Sequence, residues 1–186
     1  IVCKLGFREN LVGVSHECDY PLSVKDLPIL TKPRFSPIES SQKIDNSVQD
    51  LLKKGLSVYE VNTDLLKNLA PDLIITQAQC EACAVSLNDV KKAVSDWVGN
   101  KPDIVSLEPN YLDEVWSDFE RVGEKLNSSD SYLKFKTEIE QRLENLKQKS
   151  QHLSKRPTVV CVEWINLLMI AANWFPELVY IAGGIN

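Results

Sequence analysis

Two short clusters hold most of the residues able to bind or transform a ligand. His16-Glu17-Cys18-Asp19-Tyr20 brings an imidazole, a thiol, two carboxylates and a phenol together, and Cys80-Glu81-Ala82-Cys83 sets two thiols at the Cys-x-x-Cys spacing. His16, Cys18, Cys80 and Cys83 together supply one imidazole and three thiolates, a donor set suited to zinc. The spacing of Cys80 and Cys83 also suits a redox dithiol, because a neighbouring thiol lowers the pKa of its partner and can close a disulfide with it. Structural thiols, buried or hydrogen-bonded, are the third reading. The residues alone leave these alternatives open.

A second group lies near the end of the chain. Glu163-Trp164 and Asn173-Trp174 bracket one segment. Two indoles on a single loop-helix unit can wall an apolar ligand site, or both can fill a core. No nucleophile machinery accompanies them: the chain has no Gly-x-Ser-x-Gly elbow, Walker loop, GxGxxG or HExxH. Of its two histidines, His152 falls at the polar end of a helical pattern, where the helix dipole favours it. No enzyme is expected.

The composition bounds the class. The chain has 186 residues, 44% hydrophobic and 25% charged, with a formal net charge of −5. These are globular values, which exclude wholesale disorder, collagen and coiled-coil rods. A mild acidic balance without a Lys/Arg cluster argues against a nucleic-acid surface, since phosphate neutralisation needs grouped cations. No apolar run reaches the ~18–20 residues of a bilayer span. Five cysteines is an odd number that disfavours a dense disulfide framework. Cys3 and Cys161 lie in apolar runs and are expected as buried free thiols. Residues 1–6 are too short and too poor in basic residues for a secretory signal. The chain starts without Met, which points to a processed or trimmed start.

Short strands alternate with helices along the first part of the chain. Residues 11–15, 58–61, 73–76 and 104–106 read as strands. Helices are expected from a cap at Asn46 or Ser47 to Gly55, from Thr63 to Leu69, and from a Ser86 cap to Gly99. Prolines 28, 33 and 37 mark residues 21–46 as largely irregular. Such alternation implies crossovers and a mostly parallel sheet. From Pro109 the period changes. Leu112, Val115, Phe119, Val122 and Leu126, then Tyr132, Phe135, Ile139, Leu143 and Leu146, form one apolar stripe on one long helix or two in series. A further buried strand is expected at residues 158–162, then a helix over 176–182 stopped by Gly183-Gly184.

Three stretches in order carry a family resemblance: residues 11–21 with the His-Glu-Cys-Asp-Tyr-Pro loop, residues 71–86 with the Cys-x-x-Cys loop, and residues 156–164 followed by 174–184. Together they resemble the cobalamin/iron-siderophore substrate-binding proteins of ABC transporters, in the branch that carries those two loops. The resemblance implies an α/β fold: a parallel-sheet N-terminal lobe over 1–108, a connecting helical segment over 109–155, and the first strand and helix of a second α/β lobe over 156–186. It implies no catalysis, a bulky chelate held between lobes, modest hinge motion and docking onto a membrane permease. The matching contact residues are His16, Glu17, Asp19, Tyr20, Gln77, Gln79, Glu163, Trp164 and Trp174.

The sequence also departs from that family. The strand that opens the family pattern is absent, and the second lobe stops after its first strand and helix, so both ends look truncated. Glu81 or Glu60 is the candidate acid for a permease on the first lobe, while no acid stands just before Trp174. Leu167 and Ala172 replace an expected Pro and Gly. The leading expectation is a non-catalytic binder of a cobalamin-like corrinoid or other metal chelate, with a periplasmic or cell-surface setting implied by the family. The alternatives are a zinc-binding or redox-active protein using His16, Cys18, Cys80 and Cys83, and a truncated remnant that self-associates as a homodimer through Leu168, Met169, Ile170 and Trp174.

Overall fold

A computed structural model describes residues 1–54, 56–78, 85, 87–97, 101–165 and 168–186. The chain divides into two compact units, Ile1–Glu108 and Pro109–Asn186.

The first unit is built on two strand pairs. Leu73–Gln77 (β3) and Asp103–Leu107 (β4) are β-branched runs that pair in parallel, with Leu73 opposite Asp103 and Gln77 opposite Leu107. Parallel neighbours need a crossover connection, and the helix Leu87–Ala93 (α3) lies within it, burying Val90. The second pair is antiparallel. Thr31–Pro33 (β1) runs beside Tyr59–Val61 (β2), with Thr31 opposite Val61 and Pro33 opposite Tyr59. Between them lies the helix Ser41–Lys53 (α1), and after them the helix Thr63–Leu69 (α2). Leu5 and Val58, each 1% exposed, anchor the core with Val24, Leu66 and Val90.

The structure departs from several expectations. Residues 11–15 form no full strand. Val14 alone bridges Ile29, donating its amide to Pro28 O at 2.9 Å and accepting from Leu30 N at 2.8 Å. Pro28 has no N–H to extend that ladder. Residues 21–46 are less irregular than their prolines suggest. They hold β1, where Pro33 sits at the strand's end, a place that tolerates a missing donor. They also hold the first turns of α1, which starts at Ser41 instead of near Ser47. The cap of α2 is Asn62, whose Oδ1 accepts from Leu65 N at 3.0 Å, and not Thr63. The expected helix signals at Gly55, Ser86 and Gly99 lie outside the described residues.

The second unit carries the apolar stripe on two helices in series, Leu112–Lys125 (α4) and Ser129–Gln151 (α5). The chain breaks between them at Asn127, whose φ of 53° is left-handed. Phe119 stacks on Phe135 with centroids 5.1 Å apart, and Val122 is fully buried. Gly123 gives Tyr132 room: a Cβ there would lie 3.2 Å from Tyr132 Cβ. His152 caps the C-terminal end of α5. The chain returns through Val162–Trp164 (β5), Met169–Ile170 (β6) and the helix Phe175–Ile181 (α6). Glu177 Oε1 accepts from Leu112 N at 2.9 Å, tying α6 to the start of α4. Residues 158–162 are not the buried strand expected, for Val160 is 64% and Val162 50% exposed. Cys3 and Cys161 are free but only half-buried. No helix among the described residues is long and apolar enough to cross a membrane.

Candidate functional site

In the first unit a polar loop leaves the Val14 bridge and returns to the start of β1. Two turns compact it: Glu17 N donates to Ser15 Oγ at 3.1 Å and Cys18 N donates to Ser15 O at 3.0 Å. His16 is its anchor. The backbone amide of His16 donates to Thr31 Oγ1 at 3.0 Å, and His16 Nδ1 meets the same oxygen at 2.6 Å. In the tautomer where Thr31 donates to Nδ1, the ring proton sits on Nε2. Nε2 is buried and lies 3.2 Å from Glu17 Oε1, off the line of an aligned hydrogen bond.

The other face of the imidazole meets Tyr59 of β2, with ring centroids 5.1 Å apart and planes tilted by 49°. Burial, and then the neighbouring Glu17 carboxylate, push the Tyr59 phenol above its ordinary value. Its proton is therefore held, and the phenol stays neutral. Beyond this base the loop turns outward. Cys18, Asp19 and Tyr20 are exposed, Tyr20 by 80%, and the Tyr20-Pro21 peptide is cis. The result is a fixed imidazole-phenol base under a tip bearing a thiol, a carboxylate and an aromatic ring. An aromatic ring presented this way offers a flat apolar face and a hydroxyl to a ligand.

The second expected loop follows β3. Gln77, exposed, closes that strand at its C-terminal end, the side where ligands of open α/β sheets bind. Thr76 Oγ1 donates to Val85 O at 2.9 Å, and Ala78 N donates to Leu107 O at 3.0 Å. Gln79, Cys80, Glu81 and Cys83 lie outside the described residues. Among the described residues no three or more of His, Cys, Asp and Glu gather as a metal set. His16 engages Thr31 through Nδ1, its Nε2 lies beside Glu17 without an aligned hydrogen bond, and Cys18 is an exposed free thiol. Glu60, a candidate acid for a permease, is paired with Lys32 at 3.3 Å and Arg34 at 3.4 Å.

In the second unit Glu163 is exposed on β5. Trp164 beside it is half-buried, and its Nε1 is buried with no hydrogen-bond partner among the described residues. Trp174 is half-buried at the N-cap of α6 and stacks on Phe175, with centroids 6.4 Å apart. Each indole is therefore partly core and partly surface. Leu167 lies outside the described residues.

Sequence reasoning missed Thr31 and Tyr59. A Thr fifteen residues from a His carries no local signal. The pairing of β1 with β2 is what brings both to the loop.

A crossover helix between parallel strands, with polar loops at the strand ends, defines an α/β protein. The chain belongs to the periplasmic binding protein family, whose family model, described as Periplasmic binding protein, matches residues 1–186. Among solved structures it is similar to the periplasmic heme-binding protein RhuT from Roseiflexus sp. RS-1 in apo form, with 18% identity and a TM-score of 0.69, covering 100% of this chain and 60% of that one. It is similar to a periplasmic heme-binding protein from Pseudomonas aeruginosa, with 18% identity and a TM-score of 0.68, covering 100% of this chain and 57% of that one. It is also similar to the periplasmic vitamin B12 binding protein BtuF of Vibrio cholerae, with 18% identity and a TM-score of 0.66, covering 100% of this chain and 60% of that one. At these identities the likeness shows the fold. The chain spans about 60% of the length of such structures. No curated protein matches it.

Proposed function

We propose that this chain is a non-catalytic substrate-binding protein that takes up a metal-chelating macrocycle, of the corrinoid or heme kind, outside the cytoplasm and passes it to an ABC permease. One observation carries the reading. The His16–Tyr20 loop is fixed at its base by Thr31 and Tyr59 while its tip is open to solvent. A pre-formed loop of this kind binds without the entropy loss of ordering it. Membership of the family and the ligands named for RhuT and BtuF support the ligand class. Tyr20 supplies the flat contact, Asp19 and Glu17 supply acceptors, and His16 holds the loop in place. Gln77 and Gln79 add polar contacts beyond β3. Glu163, Trp164 and Trp174 form the contact set of the second unit.

Titration of the 186-residue chain with hemin, cyanocobalamin and cobinamide, read by the absorbance of the macrocycle, tests this. A saturable spectral shift is expected for one of them. Tyr20→Ala is expected to weaken binding about tenfold, which is ~1.4 kcal/mol. No spectral change with any of the three at millimolar concentration contradicts the reading.

A further inference from the structure

The Thr31 anchor holds only the entry of the ligand loop. Residues 17–20 and Leu22 are exposed, and the loop is seated again at Val24, which is 2% exposed. A single 3-10 turn, Leu22–Val24, forms this exit: Val24 N donates to Pro21 O at 3.0 Å and Lys25 N donates to Leu22 O at 3.2 Å. Its middle residue, Ser23, is gripped from another part of the chain. Half-buried Arg8 donates through Nε to Ser23 Oγ at 3.2 Å and through Nη2 to Ser23 O.

Arg8 is itself held in place. It opens the short turn Arg8–Asn10, in which Leu11 N donates to Arg8 O at 3.2 Å. The segment before it is seated by Leu5, 1% exposed, and Phe7 N donates to Val2 O at 3.1 Å. A guanidinium presents its donors in one rigid plane. Two bonds to one residue, one to its side chain and one to its peptide, fix orientation as well as distance.

We infer that Arg8 is a positioning residue of the macrocycle site proposed above, holding the exit of the loop as Thr31 holds its entry. The inference rests on that reading of the site. Between the two clamps stand Tyr20 and Leu22, at 80% and 74% exposure, two large side chains that the loop offers to a flat ligand. With both ends fixed, the arch is ordered before the ligand arrives, and less conformational entropy is lost on binding. With the exit released, the same contacts remain, but the ligand must order the arch itself. Arg8 acts through Ser23 and not by touching the ligand.

Titration of the 186-residue chain and its variants with hemin, cyanocobalamin and cobinamide, read by the absorbance of the macrocycle, tests the inference. For whichever macrocycle the wild type binds, Arg8→Ala is expected to weaken binding about fivefold. Arg8→Lys keeps the charge but not the fork, and is expected to weaken it about threefold. Ser23→Ala removes one of the two acceptors. It is expected to cost about twofold alone and nothing further in the Arg8→Ala background. Two readouts separate positioning from a structural role. In ligand-free Arg8→Ala the amides of Asp19, Tyr20 and Leu22 are expected to exchange at least ~3-fold faster, while the denaturant midpoint of unfolding stays at the wild-type value. Wild-type affinity in Arg8→Ala overturns the inference and leaves the binding reading standing. Wild-type affinity in Arg8→Lys alone assigns the effect to charge and overturns it as well. A loss of affinity accompanied by a lower unfolding midpoint makes Arg8 a structural residue, which also overturns it. No spectral change in the wild type with any of the three removes the binding reading and the inference with it.

Discussion

The loop after Val14 and the run at residues 157–164 both follow a short extended segment, yet one is tied down and the other is open. In the first, a single hydroxyl serves both the backbone amide and the ring of His16, and Tyr59 closes over the imidazole. In the second, no backbone hydrogen bond of Thr158 or Val160 is found among the described residues, and Val160 stands 64% exposed. The difference is one of partners, since both segments carry β-branched residues. A segment becomes a rigid part of a site when its polar groups are accounted for within the same unit.

The sharpest way to break this contrast is to truncate one leucine in each unit. Leu5, at 1% exposure, is core, whereas Leu168 is 69% exposed. Denaturant unfolding is expected to show a loss of ~2–5 kcal/mol for Leu5→Ala. Leu168→Ala is expected to stay within about 0.5 kcal/mol. Equal losses would mean that the second unit is packed as tightly as the first.

A smaller effect is expected at the anchor of the loop. Thr31→Val keeps the shape but removes the oxygen that accepts from His16 N, leaving a part-buried amide unpaired. Unfolding free energy should fall by ~1–3 kcal/mol, and the same variant should bind the macrocycle less tightly. A loss of stability with unchanged affinity would separate the anchor from the site. Asn62→Ala, which deletes the cap of α2 without touching the loop, is expected to cost ~1 kcal/mol and to leave affinity alone.

The smallest effect is alkaline. The Tyr59 phenol titrates above its ordinary value because burial and Glu17 disfavour the phenolate. A raised folded-state pKa contributes stability that is fully present below the unfolded value and is lost as pH rises through the folded one. Stability should therefore decline above pH ~10. Tyr59→Phe should flatten that decline while leaving neutral stability nearly unchanged. A profile identical in both proteins would remove Tyr59 from the account.

Much of the architecture was legible in the sequence. Leu73–Gln77 and Asp103–Leu107 announce themselves as β-branched runs, and the stripe from Leu112 to Leu146 carries a helical period that the break at Asn127 divides. Thr31–Pro33 did not announce itself, because Lys32 and Pro33 have low strand propensity and the pairing with Tyr59–Val61 is set by distant chain. The same distance hid the anchoring role of Thr31 and Tyr59. The run at 158–162 misled in the opposite sense. Its residues report a preference for extended backbone, but propensity does not say whether a partner strand covers them.

The His16–Tyr20 loop is the proposed ligand contact of the first unit. Hydrogen exchange of the 186-residue chain, followed by mass spectrometry with and without a saturating macrocycle, tests that claim most directly. Exchange of the amides of Glu17, Cys18, Asp19 and Tyr20 is predicted to slow at least ~10-fold when the ligand is bound. Binding that protects other segments and leaves these four amides unchanged would contradict it.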